Sequence, residues 1–207
     1  MDLNTTASRL QYLLDESGKL HGHLCPRQVL GARMGMLAAD LLHLDLPQQD
    51  KRLLTIVETD GCFADGISTA TGCSLGHRTL RCTDHGKIAA TFIDTVTGEA
   101  VRIHPSAASR ALASQYAPNA PDRWHAYLEG YQRMPTEELL VVNRVALNCP
   151  VETLVSSPER RKTCVNCREE IFNEREVMID GQILCRGCAG QPYLTLISEL
   201  PEQSDGR

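Results

Sequence analysis

The sequence predicts an α+β protein, an antiparallel sheet with packed helices, carrying a small C-terminal zinc finger. Three observations lead there. Helical periodicities open the chain, short β-type runs separated by turn signals follow, and two Cys-x-x-Cys pairs stand near the end, Cys164-Val-Asn-Cys167 and Cys185-Arg-Gly-Cys188, with 17 residues between them. The division this suggests is a core over 1–150, a linker over 151–163 and a finger over 164–207.

Residues 3–20 read as an amphipathic helix on Leu3, Leu10, Leu13, Leu14 and Leu20, with Gly18 near its end. Pro26 suits the first turn of a second helix, whose apolar residues Val29, Leu30, Met34, Leu37, Ala38, Leu41 and Leu42 recur to about Leu44. Gly31 and Gly35, four apart, point to a close backbone approach. Leu53 to Glu58 reads as a buried strand, and a short helix over Asp65 to Thr71 is stopped by Gly72. Leu80–Thr83, Lys87–Asp94 and Glu99–His104 read as three strands joined by Asp84-His85-Gly86 and Thr97-Gly98, an antiparallel meander. Helices are expected over 106–117 and 122–133, a turn at Thr136-Glu137-Glu138, and a last core strand over Leu139–Leu147. In the finger, Val177–Leu184 is a hairpin turning at Asp180-Gly181.

Hydrophobic content of 42% and charged content of 23% describe a soluble globular chain, and 4% aromatics imply aliphatic packing. The net charge of -5 disfavours a main role in holding nucleic acid, since phosphate binding leaves a basic face, and the finger itself is acidic in balance. Met1–Leu14 lacks an export pattern and no apolar run is long enough for a membrane helix. Nine cysteines, an odd number with four in a zinc pattern, fit reduced thiols better than a disulfide framework, so the cytoplasm is the expected compartment.

In each Cys-x-x-Cys the intervening residues turn both sulfurs the same way. Cys164, Cys167, Cys185 and Cys188 would therefore close a structural zinc with no position left for catalysis, and the metal would supply the folding energy of so small a module. A second cluster, His21-Gly22-His23-Leu24-Cys25-Pro26, puts a thiol at a helix N-terminus, where the helix dipole lowers a thiol pKa and neighbouring imidazoles accept its proton or share a metal. Asp60-Gly61-Cys62-Phe63-Ala64-Asp65 and Thr71-Gly72-Cys73 lie at element ends. A pocket of His23, Cys25, Cys62, Cys73 and Asp65 would hold zinc or another transition metal. Isolated cysteines also fill cores, and that reading stands beside the metal one. Cys82 and Cys149 read as packing residues in strands. His77, His85, His104 and His125 read as surface or satisfied, and Lys87 as a turn charge or a member of the pocket. No G-x-S-x-G, phosphate-cradling glycine loop or H-E-x-x-H is present, which leaves serine hydrolase, nucleotide enzyme and zincin readings without support.

His21-Gly-His-Leu-Cys-Pro26 with Gly31, Asp60-Gly-Cys62-x-x-Asp65, Thr71-Gly-Cys73 and Asp84-His-Gly-Lys87-Ile-Ala-Ala-Thr-Phe92 resemble the formylmethanofuran dehydrogenase E-subunit family. The likeness is detailed over residues 20 to about 105. It implies an α+β core that forms a homodimer, a treble-clef finger, and a metal site carried over to His21, His23, Cys25, Cys62, Asp65 and Cys73. Arg27-Gln28 departs from the glycine that many members carry after the proline.

The function expected is that of a cytoplasmic, dimeric zinc protein with a His/Cys pocket in the core, holding a second zinc or other transition metal, and a structural finger. The resemblance ties it to one-carbon metabolism by a molybdenum or tungsten enzyme, which would be its partner. His21 or Asp65 would accept a proton or orient a ligand beside the metal, with His23, Cys25, Cys62 and Cys73 as ligands. Two other classes are an accessory or metal-delivery protein docking on a redox enzyme, and a regulator whose finger reads nucleic acid.

Overall fold

Apolar periodicity partitions the first part of the chain into α1 (Thr6–His21), α2 (Pro26–Leu42), β1 (Leu53–Val57), α3 (Cys62–Thr71), β2 (Leu80–Cys82), β3 (Ala90–Asp94), β4 (Ala100–Pro105), α4 (Ser109–Tyr116), α5 (Arg123–Arg133), α6 (Thr136–Leu139), β5 (Leu140–Arg144) and α7 (Val151–Leu154). The computed structural model describes residues 6–155, 160–195 and 197, so the start of the expected first helix, the middle of the expected linker and most of the tail after 195 lie outside the described residues. Two units divide the chain, Met1–Val155 and Ser156–Arg207.

In the first unit a five-stranded sheet of order β2-β1-β3-β4-β5 carries α1 to α6 on one face. Leu53, Val57, Phe92, Val101 and Ile103 alternate onto that face, where they join Leu13 and Leu14 of α1, Val29 and Met34 of α2, and Phe63 and Ile67 of α3. Leu54, Ile93 and Ala100 point the other way, beside Ile56 on the same face, and pack against Val145, Leu147, Val151 and Leu154. Thus α7, within the stretch expected as linker, packs on the sheet.

The antiparallel meander expected over 80–104 is corrected. β3, β4 and β5 are consecutive antiparallel partners and β3 is antiparallel to β1, but β2 lies on the far side of β1 and parallel to it. The reason is the loop after β2, which wraps the end of β1 instead of reversing on itself. Thr83 N–H donates to Val57 O at 2.9 Å, and the N–H groups of His85 and Lys87 both donate to Glu58 O at 3.0 and 3.2 Å. A turn signal specifies a reversal but not the neighbour to be paired. Cys82, at the end of β2, and Cys149, in a bend after β5, are exposed and not the packing residues expected. The third helix begins at Cys62, three residues earlier than its periodicity suggests.

α2 and α3 cross backbone against backbone. A Cβ added at Gly31 would stand 2.5 Å from Phe63 O, and one at Gly66 would stand 2.4 Å from Gln28 O. No side chain fits at either position, and the two helices are held with their N-termini side by side. An ion pair with a buried carboxylate and a half-exposed guanidinium joins the start of β1 to the end of β3: Arg52 donates Nε–H and a terminal N–H to the two oxygens of Asp94 at 3.1 and 2.8 Å. That contact, opposed by burial and helped by Val96 N–H, holds the Asp94 carboxyl down at about 2.

The second unit is built from two hairpins. β6 (Arg161–Thr163) pairs with β7 (Glu170–Phe172), and β8 (Val177–Ile179) pairs with β9 (Gln182–Leu184) across Asp180-Gly181, both at positive φ as a tight hairpin turn requires. Each hairpin borders one Cys-x-x-Cys turn. Among the described residues no helix is long and apolar enough to cross a membrane.

Gly66→Ala is expected to lower unfolding stability by about 1–3 kcal/mol or more, while Gly76→Ala, where an added Cβ meets nothing within 4 Å, should stay within about 0.5 kcal/mol of the parent. Urea titration compares the two, and equal effects would contradict the crossing. For Asp94, a folded pKa of about 2 against an ordinary 3.8 means its contribution is complete above pH 4 and lost as pH falls toward 2. Asp94→Asn should therefore cost about 2 kcal/mol at neutral pH, and the difference from wild type should shrink below pH 4 in acid denaturation curves.

Candidate metal centre

The C-terminus of α1 and the N-termini of α2 and α3 meet at one place because of the glycine crossing and one buried amide. Gln28, fully buried in the first turn of α2, accepts Cys25 N–H at 2.8 Å and donates its own N–H groups to Ser17 O and Oγ at 3.1 and 2.9 Å. This is a capping box with cysteine at the cap, reaching back to α1. Within the departure Arg27-Gln28, Gln28 thus acts as a clamp between two helices. A cysteine cap followed three residues later by glutamine is the signal that sequence reading passed over.

At this junction His21 lies between two partners. Its Nδ1 is 2.6 Å from Asp65 Oδ2 and its Nε2 is 3.1 Å from Cys62 Sγ. An ionised carboxylate only accepts, so Nδ1–H donates to Asp65, and in the neutral imidazole this tautomer leaves the Nε2 lone pair toward the thiol. The His23 ring is 4.6 Å from that of His21, and His21, His23 and Cys62 bring one ligand atom each to within 4.8 Å of one another. Burial pushes the Cys62 thiol up, and its hydrogen bond with Cys25 adds to the rise. A bound cation would reverse that balance by favouring thiolate.

Cys25, Cys62, His21, His23 and Asp65 of the expected set are gathered here. Cys73 is not. It is 2% exposed, accepts from Thr55 Oγ1 at 3.4 Å and lies 3.5 Å from Leu53 O, inside the main core. His85 stands 3.7 Å from Glu58, His104 Nδ1 is 2.9 Å from Pro105 O, and His125 is tied to Asp122, while His77 is exposed.

In the second unit Cys164, Cys167, Cys185 and Cys188 also bring their sulfurs to within 4.8 Å of one another. The Cys167 and Cys185 sulfurs are 3.9 Å apart, and thiolates on a tetrahedral zinc with Zn–S of ~2.3 Å stand ~3.8 Å apart. Backbone hydrogen bonds from Cys185 and Cys167 pull the Cys164 thiol down to about 6. At Cys167 the backbone bond from Glu169 is outweighed by burial and by the three neighbouring sulfurs, and the thiol is pushed up to about 12. Four sulfurs this close do not ionise together without a cation among them, and the donor set fits one.

A cavity of about 1090 Å³ opens beside the core cluster, with Cys25 and Cys62 in its lining and α5 along another side. α5 is held by Arg33 of α2, a buried guanidinium that donates to Tyr131 O, Gln132 O and Met134 O at 2.9, 3.2 and 3.0 Å and to Thr136 Oγ1 at 3.0 Å. Burial lowers its pKa. Sequence reading missed Arg33, since one arginine on an apolar helix reads as a surface charge.

Residues 20–141 match the family described as FmdE, molybdenum formylmethanofuran dehydrogenase operon. The chain belongs to the FmdE family. Among curated relatives, a probable S-adenosyl-L-methionine-binding protein of Archaeoglobus fulgidus is 36% identical over 103 residues, which are 48% of this chain and 28% of that one. The chain therefore spans well under half the length of that relative. Among solved structures, a tungsten formylmethanofuran dehydrogenase FmdE-like protein from Syntrophus aciditrophicus matches with a TM-score of 0.57 and 23% identity, covering 89% of this chain and 95% of that one. That likeness is one of fold. In this FmdE protein the family match begins at the end of α1 and takes in the whole His21, His23, Cys25, Cys62 and Asp65 group.

Gln28→Ala leaves Cys25 N–H and Ser17 O without their buried partner, so unfolding stability should fall by about 1–3 kcal/mol in urea titration. A change within about 0.5 kcal/mol would mean that water serves these groups as well.

Proposed function

We propose that this FmdE protein is a two-metal protein, with a structural zinc closed by Cys164, Cys167, Cys185 and Cys188 in a treble-clef-like finger and a second zinc or other transition metal in the core. His21, His23 and Cys62 would hold the core ion, with Cys25 beside them. The observation that carries this reading is the imidazole of His21 bonded through Nδ1 to Asp65 with Nε2 facing Cys62. A carboxylate on the far nitrogen of a histidine fixes its tautomer and orientation for ligation. His21 is thereby better suited to ligation than to the proton-accepting role expected from sequence, and Asp65 to orienting it.

Three protein ligands leave a tetrahedral ion one position for a small ligand, and a zinc there would supply Lewis acidity. The protein's own residues would position that ligand and shield it in the cavity lined by Cys25 and Cys62. Family membership supports a place beside a molybdenum or tungsten formylmethanofuran dehydrogenase in one-carbon metabolism, as a homodimeric accessory or metal-delivery partner in the cytoplasm. The net charge of -5 counts against a nucleic-acid-reading finger.

Elemental analysis of the purified protein, of Cys62→Ala and of Cys164→Ala tests the reading. Two metal ions per chain are expected in the parent, with a different one lost in each variant. One ion per chain, lost only with Cys164→Ala, would leave the core group as ordinary hydrogen-bonded side chains.

A further inference from the structure

The core cavity has a charge opposite to that of the chain. Its lining includes Arg27, Lys87, Arg102, Arg110 and Arg123 and no aspartate or glutamate, although the protein as a whole is at -5. Of the five, Arg102 is answered by Glu58, whose oxygens accept its Nε–H and a terminal N–H at 2.6 and 2.8 Å. Among the described residues, no carboxylate stands within ion-pair distance of Arg27, Lys87, Arg110 or Arg123. Arg110 does bond the Tyr131 side chain. Like charges facing one recess repel, and a recess focuses their field on whatever anion enters it.

The same cavity offers a flat apolar surface. Trp124 is 45% exposed, a large aromatic face left to solvent at the start of α5, and Tyr127 stacks on Tyr131 with ring centroids 5.7 Å apart and planes 5° from parallel. Arg33 holds the other end of α5, so this wall is anchored to α2. A volume of about 1090 Å³ suits a ligand of cofactor size.

We infer that the cavity binds a ring-bearing small anion with two or more negative charges, carried as carboxylate or phosphate. Its planar part lies on Trp124 and Tyr127, and its charged groups are taken by Arg27, Lys87, Arg110 and Arg123. Arginine's fork matches both oxyanions, so the shared chemistry is what the site reads. The inference rests on the metal reading only for what the ligand's reacting end meets at Cys25 and Cys62. The charge and the aromatic wall stand apart from any metal.

Isothermal calorimetry on the full-length protein tests this with benzene-1,3,5-tricarboxylate and phenyl phosphate as ring-bearing anions, citrate as an anion without a ring and benzamide as a ring without charge. Saturable binding of either ring-bearing anion is expected, with citrate and benzamide weaker, and the tighter of the two assigns carboxylate or phosphate. Trp124, the sole tryptophan of the sequence, should report the same event by a change in fluorescence. Arg27→Ala with Arg123→Ala should weaken it roughly tenfold. Both are exposed, so the fold is expected to survive, and a circular dichroism melt verifies that. No saturable binding, binding unaltered in the double variant, or citrate as tight as the tricarboxylate would overturn the inference. Metal content measured on the same samples separates the two readings. Core metal present without anion binding removes only this inference, and arginine-dependent binding without core metal removes only the metal reading.

Discussion

A Cβ at Gly31 or at Gly66 would stand within 2.5 Å of a backbone oxygen of the facing helix, so α2 and α3 touch main chain to main chain. That approach puts Cys25, the cap of α2, next to Cys62, the first residue of α3. With any side chain between the helices, their N-termini would separate and the thiols with them. The histidines come along because Gln28 ties the end of α1 to the start of α2. Placement of the candidate metal centre thus follows from packing of the main core, and only then from the chemistry of its donors.

Two buried polar side chains extend this framework. Gln28 satisfies groups at the junction of α1 and α2, and Arg33, further along the same helix, gathers the carbonyls that end α5. Buried hydrogen-bond donors of this kind specify one arrangement, because any other leaves them unpaired. The consequence for function is that two sides of the cavity, the thiol side and the aromatic side, are fixed to the same helix.

Much of this was legible in the residues. Cys-x-x-Cys spacing marks four sulfurs able to hold one metal ion, which the structure brings to within 4.8 Å of one another, and Asp180-Gly181 marks the hairpin turn beside them. His-x-His-x-Cys-Pro marked the helix junction that the structure brings together with Cys62 and Asp65. Cys73 could not be separated from that group in sequence, since a thiol in a core and a thiol at a site are the same residue; what differs is the Thr55 hydroxyl against it. The parallel pairing of β2 depends on where residues 83–89 run along β1, which no turn signal encodes. Gln28 and Arg33 were hidden because buried polar residues on an apolar helix look like its surface. The FmdE family match takes in the helix junction, and the finger lies outside the matched residues 20–141.

Central to this picture are nitrogen and sulfur ligands sharing a metal in the core while sulfur alone serves the finger. Zinc K-edge X-ray absorption on the zinc-loaded protein reads this directly. The predicted result is a mixed shell, with sulfur at ~2.3 Å and histidine nitrogen at ~2.0 Å. A shell of sulfur alone would contradict it and leave the finger as the protein's metal site.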